Sequence, residues 1–371
     1  MPPKQAKRRL SFAPLRNWYA RFERPISSIS LVGGFVFDAL TLRRIDAFWD
    51  NFWVGGHLAI VAAAIILVNR GEHGEIDTDD PAKLHFWFVN VLQFFFGGLL
   101  STFLVFYFRS GTIWVSWPFF LLLAAAFIAN ESFKRRYARL DFQISLFFLS
   151  LFSFAAYLVP ILTHRIGQNQ FLISGGVSLA LLGLFLLVLR FAAKEKFRRG
   201  RLTLFLSIIG IYAAMNAFYF LNIIPPLPLS LADSGVYHSL MRNADGHYVV
   251  QAEPGSWLDF LDVAQTVHLI PGDPLYAYSA VFSPADLNTD IIHEWQKYDT
   301  SSGQWATRAK IALSVVGGRD GGYHTYSEAT APAGGEWRVN VETPDGKIIG
   351  RLQFNVVLQS SEPPLVTDIK Q

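Results

Sequence analysis

Apolar runs long enough to cross a bilayer crowd the chain before Pro225, and they stop there. A helix rises 1.5 Å per residue, so roughly 20 apolar residues, or roughly 17 at the short end, match the hydrocarbon core. Seven segments meet or approach that length: 26–42, 52–69, 86–108, 112–130, 142–163, 171–190 and 203–223. The first is the weakest, because Asp38 interrupts it and Ser27, Ser28 and Ser30 open it. If that segment lies flat, six spans remain. Charged residues make up only 16% of the chain, against about a quarter in soluble domains. The expectation is a membrane α-helical bundle of seven spans, or six.

Loop charges orient the bundle. The basic residues Lys4, Lys7, Arg8, Arg9, Arg16, Arg21 and Arg24 precede the first span. Lys134, Arg135, Arg136 and Arg139 fill one later loop, and Arg190, Lys194, Lys196, Arg198, Arg199 and Arg201 fill another. Seven crossings put all of these on one side, and leave only Arg43, Arg44, Arg109 and Arg165 on the other. The positive-inside rule then makes the N-terminus cytoplasmic and exports everything after Pro225. With no cleavage site after a short apolar core, the first segment reads as a signal anchor. The absence of cysteine excludes disulfides, thiolate zinc sites and cysteine nucleophiles.

Beyond "PPLPLSLAD" the period of the pattern changes to two. In "WATRAKIALSV", Trp305, Thr307, Ala309, Ile311, Leu313 and Val315 alternate with Arg308, Lys310 and Ser314. Trp337, Val339 and Val341 alternate in the same way, as do Leu352, Phe354 and Val356. "TPDGK" between those two segments is a hairpin turn, with Gly supplying positive φ. Further strands are expected near 247–251, 266–270, 275–283, 291–298 and 322–327. So many short strands with regular turns predict an all-β, immunoglobulin-like antiparallel sandwich. The domain plan is a basic tail (1–25), a transmembrane helical domain (26–224), a Pro-rich linker (225–235), the sandwich (236–358) and a flexible tail (359–371).

Several spaced elements of this half resemble a bacterial family, the domain of unknown function 2914. They are His293 and Trp295, then Tyr326 and Ser327, then Gly335, Trp337, Val339 and Val341, and finally Phe354 and Val356. The helical half is similar to the multi-span region that accompanies this domain in some bacterial proteins. The resemblance implies a bacterial inner-membrane protein with a periplasmic or extracellular domain. It implies no activity.

Function must therefore come from side chains. An outer-leaflet polar cluster is expected from Asp38, Arg43, Arg44, Asp46, Asp50, His57 and Arg109. A carboxylate within a span is costly unless paired, so an ion pair docking the first span is the first reading. A proton-coupled carrier using Asp38 is a second. A lipid-linked-sugar glycosyltransferase using Asp46 or Asp50 is a third, weakened by outer loops only a few residues long. In the exported half, His293, Trp295, Tyr323, Tyr326 and Trp337 could line a ligand face, although tryptophan in sandwiches is mostly core. No metal-ligand spacing, P-loop, dinucleotide fingerprint or nucleophile elbow is present. No catalytic residue, cofactor or metal is expected. The expected partners are the lipid bilayer and an envelope protein or glycan, not nucleic acid. The reading that follows is a membrane-anchored binding or scaffolding protein.

Overall fold

The computed structural model describes residues 33, 35–42, 45–71, 81–111, 113–132, 139–254 and 265–370. Among them are seven helices followed by eleven strands. Residues 35–41 belong to helix α1; residues 26–32 and 34 of the expected first span lie outside the described residues, as do Arg43 and Arg44. The other helices are α2 (Phe48–Gly71), α3 (Pro81–Ser110), α4 (Ile113–Ser132), α5 (Leu140–Thr163), α6 (Gln168–Ala192) and α7 (Lys194–Phe220).

Five of them are long and apolar enough to cross a membrane: α2, α3, α5, α6 and α7. In α4 the apolar stretch is Val115–Asn130. Its 16 residues rise roughly 24 Å, less than the roughly 30 Å of hydrocarbon. Helix α5 is the central one and packs against α2, α3, α6 and α7. Its sequence explains this: Ile144, Phe147, Phe148, Leu151, Phe152 and Tyr157 are buried on every side rather than along one stripe. Polar side chains inside the bundle mostly bond locally or across helices. Asn69 donates to Gln143 Oε1 (2.7 Å), Asn130 to the Gln93 carbonyl (3.1 Å), and Tyr107 to the Ser153 carbonyl (3.1 Å).

The strands are β1 (Ser230–Tyr237), β2 (Ser239–Arg242), β3 (Tyr248–Ala252), β4 (Gln265–Leu269), β5 (Leu275–Phe282), β6 (Thr289–Asp299), β7 (Gln304–Val315), β8 (Tyr323–Ala329), β9 (Gly335–Glu342), β10 (Ile348–Leu358) and β11 (Val366–Lys370). They form three sheets, ordered β4-β10-β9-β6-β7, β1-β5-β8 and β11-β3-β2. All pairs are antiparallel except β10 with β4, which is parallel.

Strand β5 shows why there are three layers. Leu275, Ala277 and Val281 join the core shared with the five-stranded sheet, where Trp295, Val339 and Phe354 also lie. Tyr276, Tyr278 and Ala280 face the other way and pack with Leu240 and Val250 of the small sheet. "LYAYSAVF" is apolar on both faces, as a strand covered on both sides must be.

Three expectations change. The proposed linker 225–235 is only partly a linker, because β1 begins at Ser230. The proposed tail 359–371 contains β11, which pairs with β3. Strand β7 does not keep one face. Trp295 faces Ala309 but the next residue, Gln296, faces Thr307, so Arg308 is an extra residue in the ladder. A one-residue bulge reverses the alternation. Ile311, Leu313 and Val315 turn inward, whereas Thr307 joins Lys310 on the outer face, where both bond Glu294.

Gly317, after β7, passes against the β5–β6 loop, where an added Cβ would lie 1.9 Å from the Pro284 carbonyl oxygen. Backbone cannot yield as a side-chain tip can. Gly317→Ala is expected to lower stability by about 2 kcal/mol, read as a lower midpoint in thermal unfolding of the detergent-solubilised chain.

Candidate functional sites

Toward the end of the bundle nearest the β-rich domain, Asp38 lies within reach of Ser101 and of His57. His57 is buried and its Nδ1 donates to the Trp53 carbonyl at 2.9 Å. Trp53 and Phe95 pack edge-on against its ring. Arg109 does not pair with Asp38. It donates to the carbonyls of Ala39 and Leu42, at the C-terminal end of α1, where the helix dipole is negative. Asp46 accepts from the backbone N–H of Ala285 at 3.3 Å and so ties the α1–α2 turn to the β5–β6 loop. Asp50 occupies the first turn of α2, the end that favours a carboxylate.

A second junction was not visible in the sequence. The β9–β10 turn, Thr343–Lys347, inserts among the ends of α5, α6 and α7. Gly346 takes φ of 78° there, and Thr343 and Lys347 close the turn through N–H to carbonyl at 2.9 Å. Lys347 is 4% exposed. Its Nζ donates to the Tyr219 carbonyl at 2.7 Å and lies 4.2 Å from the centroid of the Tyr219 ring. Burial pulls the Lys347 pKa down, and nearby Asp345 opposes that. "TPDGK" signals the turn, but its partner lies 128 residues earlier in the chain.

Of the five residues expected to form a ligand face, Trp295 and Trp337 line a cleft, whereas His293, Tyr323 and Tyr326 lie elsewhere. His293 and Trp295 are inside the β-rich domain, at 0% and 1% exposure. His293 Nε2 meets Ser279 Oγ and its Nδ1 meets Ser327 Oγ, both at 2.8 Å. Trp295 Nε1 donates to the same Ser327 oxygen, and Ser279 bonds Thr325. These side chains make a closed polar chain between the five-stranded sheet and the β1-β5-β8 sheet. Desolvation pushes the His293 pKa down to about 4. Tyr326 is exposed, on the opposite face of β8, among Tyr248 and Tyr276. Tyr323 is half-buried under Arg319. Elsewhere, Glu253 bridges His238 and His268. Burial would raise its pKa, but the hydrogen bonds from His268 and His238 outweigh that and lower it. Among the described residues no cluster of His, Asp or Glu could hold a metal ion.

The cleft of the β-rich domain is open, at about 500 Å³. Trp295, Lys297, Arg308 and Ala309 line one side, Glu328 to Ala333 the other, and Trp337 the floor. Strand register places it. Glu342 precedes the turn that meets the helices, and Trp337 lies five residues up the same strand. At about 3.3 Å per residue the cleft floor is roughly 17 Å beyond that turn. Trp337 Nε1 donates to the Ala333 carbonyl (2.8 Å), which holds the loop "TAPAGG" as the cleft wall.

The strands around this cleft decide the kinship of the domain. Residues 288–356 match the family described as a protein of unknown function, DUF2914. The matched segment carries β6 to β9 and nearly all of β10, and every residue lining the cleft. No curated protein matches the chain. Solved structures give only faint likenesses. A β-glucosidase from Listeria innocua in complex with isofagomine is 13% identical, with a TM-score of 0.20 over 33% of this chain. The likeness spans only 16% of that enzyme's length. Pseudomonas fluorescens alkylpurine DNA glycosylase AlkC, bound to DNA with an abasic site analogue, is 11% identical with a TM-score of 0.20, over 81% of this chain and 96% of that one.

Two tests follow from these contacts. His293 titrates at about 4 when folded and at 6.5 when exposed. Above pH 6.5 both states are neutral there; below it the unfolded chain takes up a proton that the folded chain refuses. Stability is therefore expected to fall by about 3 kcal/mol as pH drops from 6.5 to 4, and His293→Asn to lose most of that slope in denaturant titrations. Lys347→Ala removes a charged hydrogen bond worth about 1.5–3 kcal/mol, and limited proteolysis is expected to cut the 221–229 segment faster than in the parent chain.

Proposed function

We propose that this chain is a bacterial inner-membrane protein whose seven spans hold an immunoglobulin-like sandwich on the outer side, with the N-terminus cytoplasmic. The sandwich is a non-enzymatic binding or scaffolding module that recruits an envelope protein or glycan. The single observation that carries this reading is the cleft: open, about 500 Å³, and roughly 17 Å along β9 from the turn that meets the helices. Sites that hold small ligands or peptide segments are commonly about 300–1,000 Å³. The exposed apolar flanks of the helices support the anchor. Leu202, Phe205, Leu206 and Ile209 on α7, and Leu184, Leu187 and Phe191 on α6, face outward with no protein against them that would keep them from water. Phe48, Trp49, Phe52 and Trp53 crowd the start of α2, where aromatic side chains suit a membrane–water boundary.

A second reading, a proton-coupled carrier, is favoured by one contact: among the described residues Asp38 sits by His57 and Ser101 rather than by an arginine. In-cell photocrosslinking from the cleft rim separates the two. Recruitment predicts discrete adducts from position 331 in the full chain, unchanged by Asp38→Asn and absent when residues 230–370 are deleted. Adducts that are equally abundant from the buried face, or a phenotype that survives the deletion, would count against recruitment.

A further inference from the structure

We infer that the cleft binds an extended, acidic peptide segment, laid against the open edge of β7. The inference rests on the recruitment reading and names the ligand of that site.

Strand β7 is the last strand of its sheet, and among the described residues it pairs only with β6. Its other edge offers unpaired backbone N–H and C=O groups, which an extended peptide can complete. The cleft adjoins that edge at Arg308 and Ala309. Alanines at 309, 329, 331 and 333 leave room for a backbone between the walls.

The charges specify the sign of the ligand. Lys297 and Arg308 both line the cleft, and among the described residues neither makes an ion pair. The bulge places Arg308 at the rim of the cleft rather than in the regular alternation of β7. A carboxylate between these two cations replaces water around both. Glu328 stands on the β8 side and would repel a second carboxylate there, so the acidic residue has one preferred side.

The same surface disfavours a sugar. Saccharides stack on open aromatic faces, yet Trp295 is 1% exposed and Trp337 6%. Both indole N–H groups are already used, on Ser327 and Ala333.

The test uses the full chain in nanodiscs and fluorescence anisotropy. The probes are a labelled, capped Val-Glu-Val-Glu-Val peptide, its Gln counterpart, and chitotetraose as competitor. The acidic peptide is expected to bind at least about tenfold more tightly than the Gln peptide, and less tightly as salt rises. Lys297→Gln and Arg308→Gln should each weaken it about fivefold with unchanged unfolding midpoints, while Glu328→Gln should not weaken it. Equal binding of both peptides, no loss in the Lys297→Gln/Arg308→Gln double variant, or full displacement by chitotetraose would overturn the inference. If the double variant keeps the rim adducts of the wild type in cells, the ligand assignment fails and recruitment stands. If the acidic peptide binds as expected but no adduct forms in cells, recruitment fails and the cleft chemistry stands.

Discussion

An ammonium group lies between the β-rich domain and the helices with almost no water around it. Lys347 reaches the Tyr219 carbonyl at the last turn of α7 and stacks over that residue's ring, while the Phe171 ring stacks on Tyr219 at 3.8 Å from α6. A buried cation without such partners would cost several kcal/mol. The contact therefore works only in one geometry, with the β9–β10 turn seated among three helix ends. Asp46, holding the Ala285 N–H on another flank, gives a second point of attachment. Two separated points fix the orientation of the β-rich domain, and through the length of β9 they fix where the cleft stands.

The β-rich domain has its own internal constraint. His293, Ser279, Thr325, Ser327 and the Trp295 indole satisfy one another in a space that excludes water. Such a chain costs more than an apolar core if any member is lost. It also ties β5, β6 and β8 in one register, because a slip of one residue would leave each group facing the wrong layer. The apolar residues above and below it, Val339 and Phe354 among them, are then free to pack without polar neighbours.

Much of this was legible in the chain because it is written locally. Apolar runs of membrane length, the period-two alternation of β9 and β10, and the "TPDGK" turn all depend on neighbours within a few residues. The pairing of Lys347 with Tyr219 was not legible, since nothing near either residue marks the other. β1 was hidden by the prolines before it and by the irregularity between Leu231 and Asp233. The third sheet has one local signal, Tyr276 and Tyr278 on the face of β5 that a two-layer fold would leave wet. His293 and Trp295 do share a strand face, as their spacing indicates, but only tertiary structure says that this face is the inner one. The cleft has the weakest trace, a run of Ala, Pro and Gly ahead of Trp337.

The bulge at Arg308 bears on what the edge of β7 can tolerate. A regular open edge twelve residues long would template a neighbouring copy of itself, and then another, without limit. An incoming strand that follows Ala309 to Val315 arrives at Arg308 with its side chains out of phase with Gln304 to Thr307. It must stop or carry a matching extra residue. The edge thus admits a short visitor and interrupts propagation, which separates capture of a segment from polymerisation of the protein.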